Sequence, residues 1–294
     1  MNNPESKLDT AKKIMLVGIG GGFDVFTGLP FVYKYKDKQF VLVNSSPKDN
    51  FHFRESTPED LPEGVIRPIA NVEAKYTVGR LGCILLQKAY EKIIATHNID
   101  CVLAIDGGVD SMATGDEEHS GTVLEDFIGI AALDNIKVDK VMCCAGFGTE
   151  TEENMNHYRI LENFAKLAES DGFIGSFSLT KAMPEFQQYA EECEHAWAEG
   201  RRKSHIQTKI ISAVRGGFEN NQYADVDPRL EHSTGIEFVS MLSSIYWMFD
   251  FDAVAKQNKA IKEMKQGSTF TDSKILLRKF FFEQKFRSKK SLPL

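Results

Sequence analysis

The sequence lacks the features that would place it in a secreted or membrane class. Its five cysteines are odd in number and show no CxxC spacing, so reduced thiols are expected rather than a disulfide framework. No apolar run approaches the length of a membrane span. The polar N-terminus has no apolar segment of the kind found in signal peptides. These absences predict a cytoplasmic protein with no membrane partner.

An excess of positive charge is also missing. The net charge of -7 over 294 residues argues against general binding to nucleic acid. The charge is uneven, however, because residues 256–294 carry eleven Lys or Arg and only three Asp or Glu. We therefore predict a disordered leader over residues 1–12, a single α/β domain over 13–265 and a basic, aromatic, helical tail over 266–294. A homo-oligomer contact is one candidate role for this tail.

Short apolar runs alternate with segments of helical periodicity along the chain. Residues 13–17, 40–43, 101–105, 138–144 and 172–179 are predicted strands. Predicted helices cover residues 24–35, 78–96, 152–170 and 272–287, and a further helix opens at a capping box formed by Thr122 and Glu125. The proline-rich residues 48–77 are interpreted as an excursion, and the aromatic residues 240–251 as packing on the sheet. The pattern predicts a doubly wound, mostly parallel, Rossmann-like α/β sheet with a helical C-terminal half.

Three predicted strands end in glycine turns that carry acidic residues. Backbone amides can approach a ligand closely at such turns, and ligands of open α/β sheets bind beyond the carboxyl ends of the strands. The sequence therefore predicts a site for a nucleotide-like small molecule at this edge. The predicted binding residues are Gly18, Gly20, Gly21, Gly22 and Asp24 after the first strand, Gly107 and Gly108 after the central strand, and Gly146, Gly148 and Glu150 after a later strand.

The central turn is unusually acidic. Asp106, Asp110, Asp116, Glu117 and Glu118 lie within thirteen residues and repel one another unless Mg²⁺, an Arg or Lys, or a cationic ligand group lies among them. A solvated acidic loop is an equal alternative for Glu117 and Glu118. For Asp106 and Asp110, which flank the glycine pair, the sequence favours a ligand-binding role, in which they would hold Mg²⁺ or a ribose.

A catalytic interpretation assigns further roles. Asp116 or Glu117 would act as a general base on water, and His205 or Arg215 would neutralise developing negative charge. Arg201, Arg202 and Lys203 precede His205 and are candidate counterparts for an anion. An ordinary surface histidine is the more common explanation of His205. A non-catalytic sensor or scaffold that binds a small ligand and assembles through its tail remains the alternative function.

Several motifs in fixed order resemble one protein family. GIGGGFDVFTGLP, DGGVDSMATGDEEHSGTVLEDFIGIAAL, AGFGTETEE, HIQTKIISAVRGGFEN and YWMFDFDAVAKQN together resemble the domain of unknown function 1152 family over about residues 13–258. This resemblance implies an α/β fold and a ligand site, and no particular reaction. The basic C-terminal segment falls outside the resemblance.

Two local resemblances imply ligands. LVGIGGGFDVFTGLPF is similar to the NAD-binding loop of sirtuins, although their catalytic QNxD segment and histidine have no counterpart. VLAIDGGVDS is similar to the SGGxDS phosphate loop of ATP pyrophosphatases, with Asp106 in place of the first serine. NAD or ATP, with Mg²⁺, is the ligand that these resemblances imply.

Overall fold

The computed structural model describes residues 5–48, 51–60, 62–150, 154–200, 203–219 and 238–292. The strands are β1 (Lys13–Gly18), β2 (Gln39–Ser45), β3 (Phe53–Glu55), β4 (Val72–Val78), β5 (Cys101–Gly107), β6 (Asp139–Ala145), β7 (Phe173–Ser178) and β8 (Ile245–Asp250). The helices are α1 (Glu5–Thr10), α2 (Asp24–Thr27), α3 (Leu29–Lys34), α4 (Cys83–His97), α5 (Leu124–Asp134), α6 (His157–Glu169), α7 (Pro184–Ala198), α8 (His205–Val214), α9 (Phe251–Gln257), α10 (Ile261–Met264) and α11 (Phe270–Glu283).

All eight strands of the described chain belong to one sheet, in the order β3-β4-β2-β1-β5-β6-β8-β7. Strands β4, β2, β1, β5 and β6 are mutually parallel, β3 is antiparallel to β4, and β8 is antiparallel to both β6 and β7. The chain builds outward from β1 through β2 to β4 and then returns to β5 on the other side of β1. This reversal between β1 and β5 is the topological switch point of a doubly wound fold.

Both faces of the sheet are covered by helices. Along β1, Ile14 and Leu16 pack on one face, while Met15 and Val17 pack on the other. Helices α1, α2, α3, α7 and α8 contribute buried side chains to the first face, and α4, α5, α6, α9, α10 and α11 to the second. The predicted α/β fold with a mostly parallel, Rossmann-like sheet is therefore confirmed. Within the described residues, none of the helices has the length and apolar character needed to cross a membrane.

Several predicted boundaries need correction. Residues 24–35 form two short helices that meet at Gly28, where a Cβ would lie 2.4 Å from a methyl group of Leu16. Residue Val78 ends β4, so the following helix begins only at Cys83. The predicted excursion over 48–77 contains β3 and most of β4. Residues 173–178 form a strand as predicted, but the aromatic segment after residue 240 supplies one more strand, β8.

The segments predicted to lie before and after the domain are packed against it. Within the expected disordered leader, residues 5–10 form α1 and the side chain of Leu8 is fully buried. In the basic tail, Leu277 and Phe280 of α11 belong to the main core. Helix α11 of this tail begins at a capping box of Thr269 and Asp272 and packs against the domain. The start of the predicted helix at 152 lies outside the described residues.

Candidate functional site

A polar pocket of about 400 Å³ opens at the carboxyl ends of β1 and β5. These two strands are the neighbours at which the strand order reverses. The pocket contains residues from the loops that follow β1, β5 and β6. Its lining consists of Gly20, Gly21, Gly22, Phe23, Asp24, Asp106, Gly107, Asp110, Thr122, Glu125, Asp126, Glu150, Lys203, Ser204, His205, Ile206 and Gln207.

Asp24 joins the first two glycine turns. Its Oδ2 accepts a hydrogen bond from the backbone amide of Gly20 at 2.7 Å, and its Oδ1 accepts one from the amide of Gly107 at 3.1 Å. Gly21 and Gly22 have φ values of 83° and 57°, a conformation that glycine adopts without a Cβ penalty. Burial, and secondarily the negative charge of Asp110, raises the pKa of Asp24 to about 7 despite these two hydrogen bonds.

Three buried carboxylates meet at the floor of the pocket, and we call Asp24, Asp106 and Asp126 the aspartate trio. One carboxylate oxygen from each lies within 4.8 Å of the other two. Asp106 also accepts a hydrogen bond from the backbone amide of Ser111 at 3.3 Å. Burial and the neighbouring carboxylates raise the pKa values of Asp106 and Asp126 well above the usual range.

Asp126 is the member of the trio that points most directly to a ligand. Its side chain is only 3% exposed, and its Oδ1 has no hydrogen-bond partner among the described residues. A Cβ at Gly20 would lie 2.7 Å from this Oδ1 and 2.9 Å from Oδ2 of Asp24, so only glycine fits there. A buried polar atom without a partner costs free energy. A divalent cation bound by the three oxygens would remove that cost and offset the mutual repulsion.

Asp110 and Glu150 flank the trio and are held by loop contacts. Asp110 accepts hydrogen bonds from the amide and the hydroxyl of Thr122 at 3.0 and 3.1 Å. The predicted capping box is therefore wrong, since Thr122 does not cap α5 and the helix begins at Leu124. Glu150 accepts a hydrogen bond from the amide of Val109 at 2.7 Å. The structure thus brings Asp110 and Glu150 to the predicted edge of the sheet, beside the trio.

The opposite wall of the pocket is the N-terminus of α8. Ser204 caps this helix by accepting a hydrogen bond from the amide of Gln207. Gln207 in turn donates to the hydroxyl of Thr27 at 2.8 Å and accepts a hydrogen bond from the hydroxyl of Tyr189. Lys203 and His205 lie on the same wall. Helix N-termini favour negative charge, so this wall has the opposite electrostatic character to the floor.

Asp116 and Glu117 lie outside the pocket, in a separate ion-pair network. Glu117 accepts hydrogen bonds from Arg287 at 2.6 Å and from the side chain of Asn163 at 2.7 Å. Asp116 accepts from Arg287 at 2.8 Å and pairs with Lys259. These cations hold the pKa of Asp116 below its usual value despite its burial. The structure does not bring the two predicted general bases to the site, and their contacts indicate a structural role.

Other predicted residues lie beside or away from the pocket. At Gly18 a Cβ would lie 2.4 Å from Oδ1 of Asn44, so this glycine serves close packing below the loop. Gly146 accepts a hydrogen bond from the amide of Thr149 within its own turn, and Gly148 does not line the pocket. Arg215 lies at the far end of α8 and pairs with Glu194 at 2.8 Å. Arg201 and Arg202 lie outside the described residues.

Sequence reasoning missed Asp126. It lies in the first turn of α5, where acidic residues are common because they stabilise a helix, so the local sequence did not distinguish it. The available signal was the position of α5, which directly follows the central acidic turn. Any buried acid in its first turn was therefore bound to lie near Asp106.

The model of the family described as Protein of unknown function (DUF1152) matches residues 79–284, which is more than half of the chain. The chain belongs to this family. The match contains Asp106 and Asp126 and extends over all of α11, whereas the sequence resemblance was expected to start near residue 13 and to leave out the basic tail. No curated protein and no solved structure matches the chain.

Proposed function

We propose that the chain is a Mg²⁺-assisted hydrolase or group transferase that acts on a phosphorylated, nucleotide-like substrate. The observation that carries this proposal is the aspartate trio, with three buried carboxylate oxygens within 4.8 Å of one another and Oδ1 of Asp126 without a partner among the described residues. Oxygen ligands of this kind suit Mg²⁺, which binds through a few carboxylates and completes its shell with water and substrate phosphate.

The polarity of the two walls supports a phosphorylated substrate. A phosphate placed directly on the trio would be repelled, because the pocket lining is rich in carboxylates. A cation on the trio reverses this local charge. The N-terminus of α8 and Lys203 then face the same space and favour the negative group from the other side. We therefore expect phosphate binding to require the cation.

The chemistry follows from this arrangement. The cation would stabilise negative charge on the phosphate oxygens and promote deprotonation of a bound water. His205, at the start of α8, is the residue proposed to exchange a proton with the reacting group. ATP and NAD are the candidate ligands, because the segments around the first and central glycine turns resemble the NAD-binding loop of sirtuins and the phosphate loop of ATP pyrophosphatases, respectively.

The first test is a cation titration of the wild-type protein and of Asp126→Asn, monitored by thermal unfolding. A ligand at about one hundred times its Kd stabilises the native state by about 2.7 kcal/mol. Mg²⁺ or Mn²⁺ should therefore raise the melting temperature of the wild type, and ATP or NAD should raise it further only with the cation present. Asp126→Asn should lose both responses, and phosphate release from ATP should fall with them.

The substitution should not unfold the protein. Asp126→Asn removes one of three repelling buried carboxylates, so the cation-free variant is expected to be at least as stable as the cation-free wild type. Asp134→Asn is a matched control, because Asp134 ends the same helix and pairs with Lys265 instead of lining the pocket. A cation response that survives in Asp126→Asn, or that is lost equally in Asp134→Asn, would contradict the proposed metal site.

A further inference from the structure

A second cavity lies beside the polar pocket, on the other side of the first glycine loop. We call this cavity of about 200 Å³ the side compartment. Its lining consists of Gly20, Gly21, Gly22, Ser45, Ser46, Pro47, Gly79, Arg80, Leu81, Leu86, Glu125, Ile128 and Phe270. It shares Gly20, Gly21, Gly22 and Glu125 with the polar pocket. A single ligand that crosses the glycine loop would therefore occupy both spaces.

The two spaces differ in chemistry. The polar pocket holds the aspartate trio, whereas aliphatic side chains and an aromatic ring form much of the side compartment. Leu81 and Leu86 are buried residues of the core beneath it. Burial of an apolar group against these residues is favourable, while a charged phosphate would lose its hydration there without compensation. The side compartment thus suits the uncharged end of a ligand whose charged end binds the cation.

Arg80 provides a planar, polar surface at the border between the two spaces. Its guanidinium lies 4.1 Å from the centre of the Phe270 ring and donates a hydrogen bond to Glu125 at 2.9 Å. These contacts fix the orientation of Arg80. A guanidinium held on an aromatic ring presents flat surfaces and N–H donors together, which is the chemistry that recognises a heterocyclic ring.

The side compartment is small, and the rest of its lining includes hydrogen-bonding groups. Ser45 ends β2 and Ser46 follows it, and both residues line the compartment and carry hydroxyl groups that can hydrogen-bond a ring. The volume of about 200 Å³ has room for a ring system and not for an entire nucleotide. A long hydrocarbon chain would leave these polar groups without partners and would exceed the space.

We propose that the side compartment binds the nucleobase of a nucleoside diphosphate or related nucleotide, whose phosphates cross Gly20–Gly22 to the cation on the aspartate trio. This inference rests on the proposed function and assigns the substrate class that the proposed function leaves open. Selectivity for a nucleotide over simple phosphates is then set by residues of β2, the segment before α4, α4 and α11, which do not bind the cation.

The test compares ADP with inorganic pyrophosphate, both with Mg²⁺, by calorimetric titration of the full chain. ADP should bind the wild type about tenfold more tightly than pyrophosphate, since stacking of one base contributes roughly this much. Leu81→Trp fills the side compartment and should remove this advantage, while the affinity for Mg²⁺-pyrophosphate stays unchanged. Phe270→Leu keeps the apolar character, removes the ring under Arg80, and should reduce the ADP advantage in part.

Ile84→Trp is the matched control, because Ile84 lies near Leu81 in the chain but does not line the side compartment. This control should bind both ligands as the wild type does. Equal affinity of the wild type for ADP and pyrophosphate would overturn the inference, as would tighter binding of a short alkyl diphosphate than of ADP. A parallel loss of both ligands in Leu81→Trp would also overturn it. If neither Mg²⁺-pyrophosphate nor Mg²⁺-ADP binds the wild type, the proposed function itself fails.

Discussion

The buried carboxylates near the sheet edge fall into two groups. One group is paired with a cationic side chain, and the other is not. Asp116 and Glu117 are neutralised by Arg287, whereas the aspartate trio is held mainly by backbone amides and its own members repel one another. The sequence correctly placed Asp106 at the predicted edge of the sheet. It could not separate the two groups, because the cation that pairs with Glu117 lies 170 residues away in sequence.

The buried carboxyl group of Glu63 predicts how the stability of the protein depends on pH. It is buried behind the glycine loop, where it accepts hydrogen bonds from Thr77 at 2.6 Å and from Asn44 at 2.9 Å. Asn44 also donates to the carbonyl of Gly22. Burial raises the pKa of Glu63 to about 7, despite these hydrogen bonds. The protonated form therefore stabilises the native state relative to the ionised form.

The sign of the pH dependence follows from the raised pKa. Between the unfolded value of about 4.3 and the folded value of about 7, the native state binds more protons, so the stabilisation is lost as the pH rises. Glu63→Gln cannot ionise and should gain up to about 3 kcal/mol relative to the wild type between pH 4.5 and pH 8. Urea unfolding of both proteins across this range measures the difference. Parallel pH profiles would show that Glu63 does not titrate in this way.

At the scale of elements, regular apolar runs were predictable and irregular ones were not. Strands β1, β2, β5 and β6 follow short apolar segments and lie where the sequence predicted them. Strand β4 was missed because its exposed half carries Glu73 and Lys75 and three prolines precede it. Strand β8 was seen only as an aromatic segment, because its position between β6 and β7 depends on pairing with residues far apart in sequence.

The segment after α11 acts as a clasp on the central acidic loop, and we call residues 284–292 the C-terminal clasp. The backbone of Arg287 forms an isolated β-bridge with Glu117. The amide of Arg287 donates a hydrogen bond to the carbonyl of Asp116, and the carbonyl of Arg287 accepts one from the amide of Glu118. Its guanidinium also contacts Glu162 of α6. The clasp thus joins the loop after β5 to α6.

Arg287→Met should test the clasp. The variant keeps an unbranched side chain but leaves Asp116 and Glu117 buried without their main cation. Breaking a buried ion pair costs about 3–5 kcal/mol. Because the Arg287 side chain is 20% exposed, we expect a loss nearer about 2 kcal/mol in urea unfolding at pH 7.

The acid profile provides an independent check of the clasp. The lowered pKa of Asp116 contributes stability that is complete above about pH 4 and is lost as the pH falls further. In Arg287→Met, the free energy of unfolding should therefore depend less steeply on pH below about pH 4 than it does in the wild type. Lys285→Ala, an exposed position of the same clasp, should stay within about 0.5 kcal/mol of the wild type. Equal stability of Arg287→Met and Lys285→Ala would show that the ion pairs contribute nothing.

At the scale of the whole molecule, the position of the site follows from topology. The reversal of strand order between β1 and β5 opens a crevice at their carboxyl ends, and the polar pocket lies there. The sequence was sufficient to predict this location, since it required only the alternation of strands and helices. The side compartment was not predictable, because it brings residues from β2, α4, α5 and α11 together through packing of the complete fold.

The packing of the whole molecule also predicts its thiol chemistry. All five cysteines are free and buried, and burial raises the pKa values of Cys143 and Cys144 well above the usual value. Burial and the raised pKa both slow reaction of these thiols with external reagents, because the exposed thiolate is the reactive form. Native protein should therefore react with Ellman's reagent only as fast as it unfolds, and all five thiols should react at once in denaturant. Rapid labelling of any cysteine under native conditions would disprove this protection.

The C-terminal clasp has a consequence for biosynthesis. Parts of a protein made early in translation begin to fold first, but Arg287 joins the growing chain 170 residues after Glu117. Until then, Glu117 in the loop after β5 lacks the cation that pairs with it. Ribosome-bound intermediates should therefore form the central strands early and complete the acidic loop only near the end of synthesis. A message with a premature stop codon before position 287 would yield a chain that never completes this step.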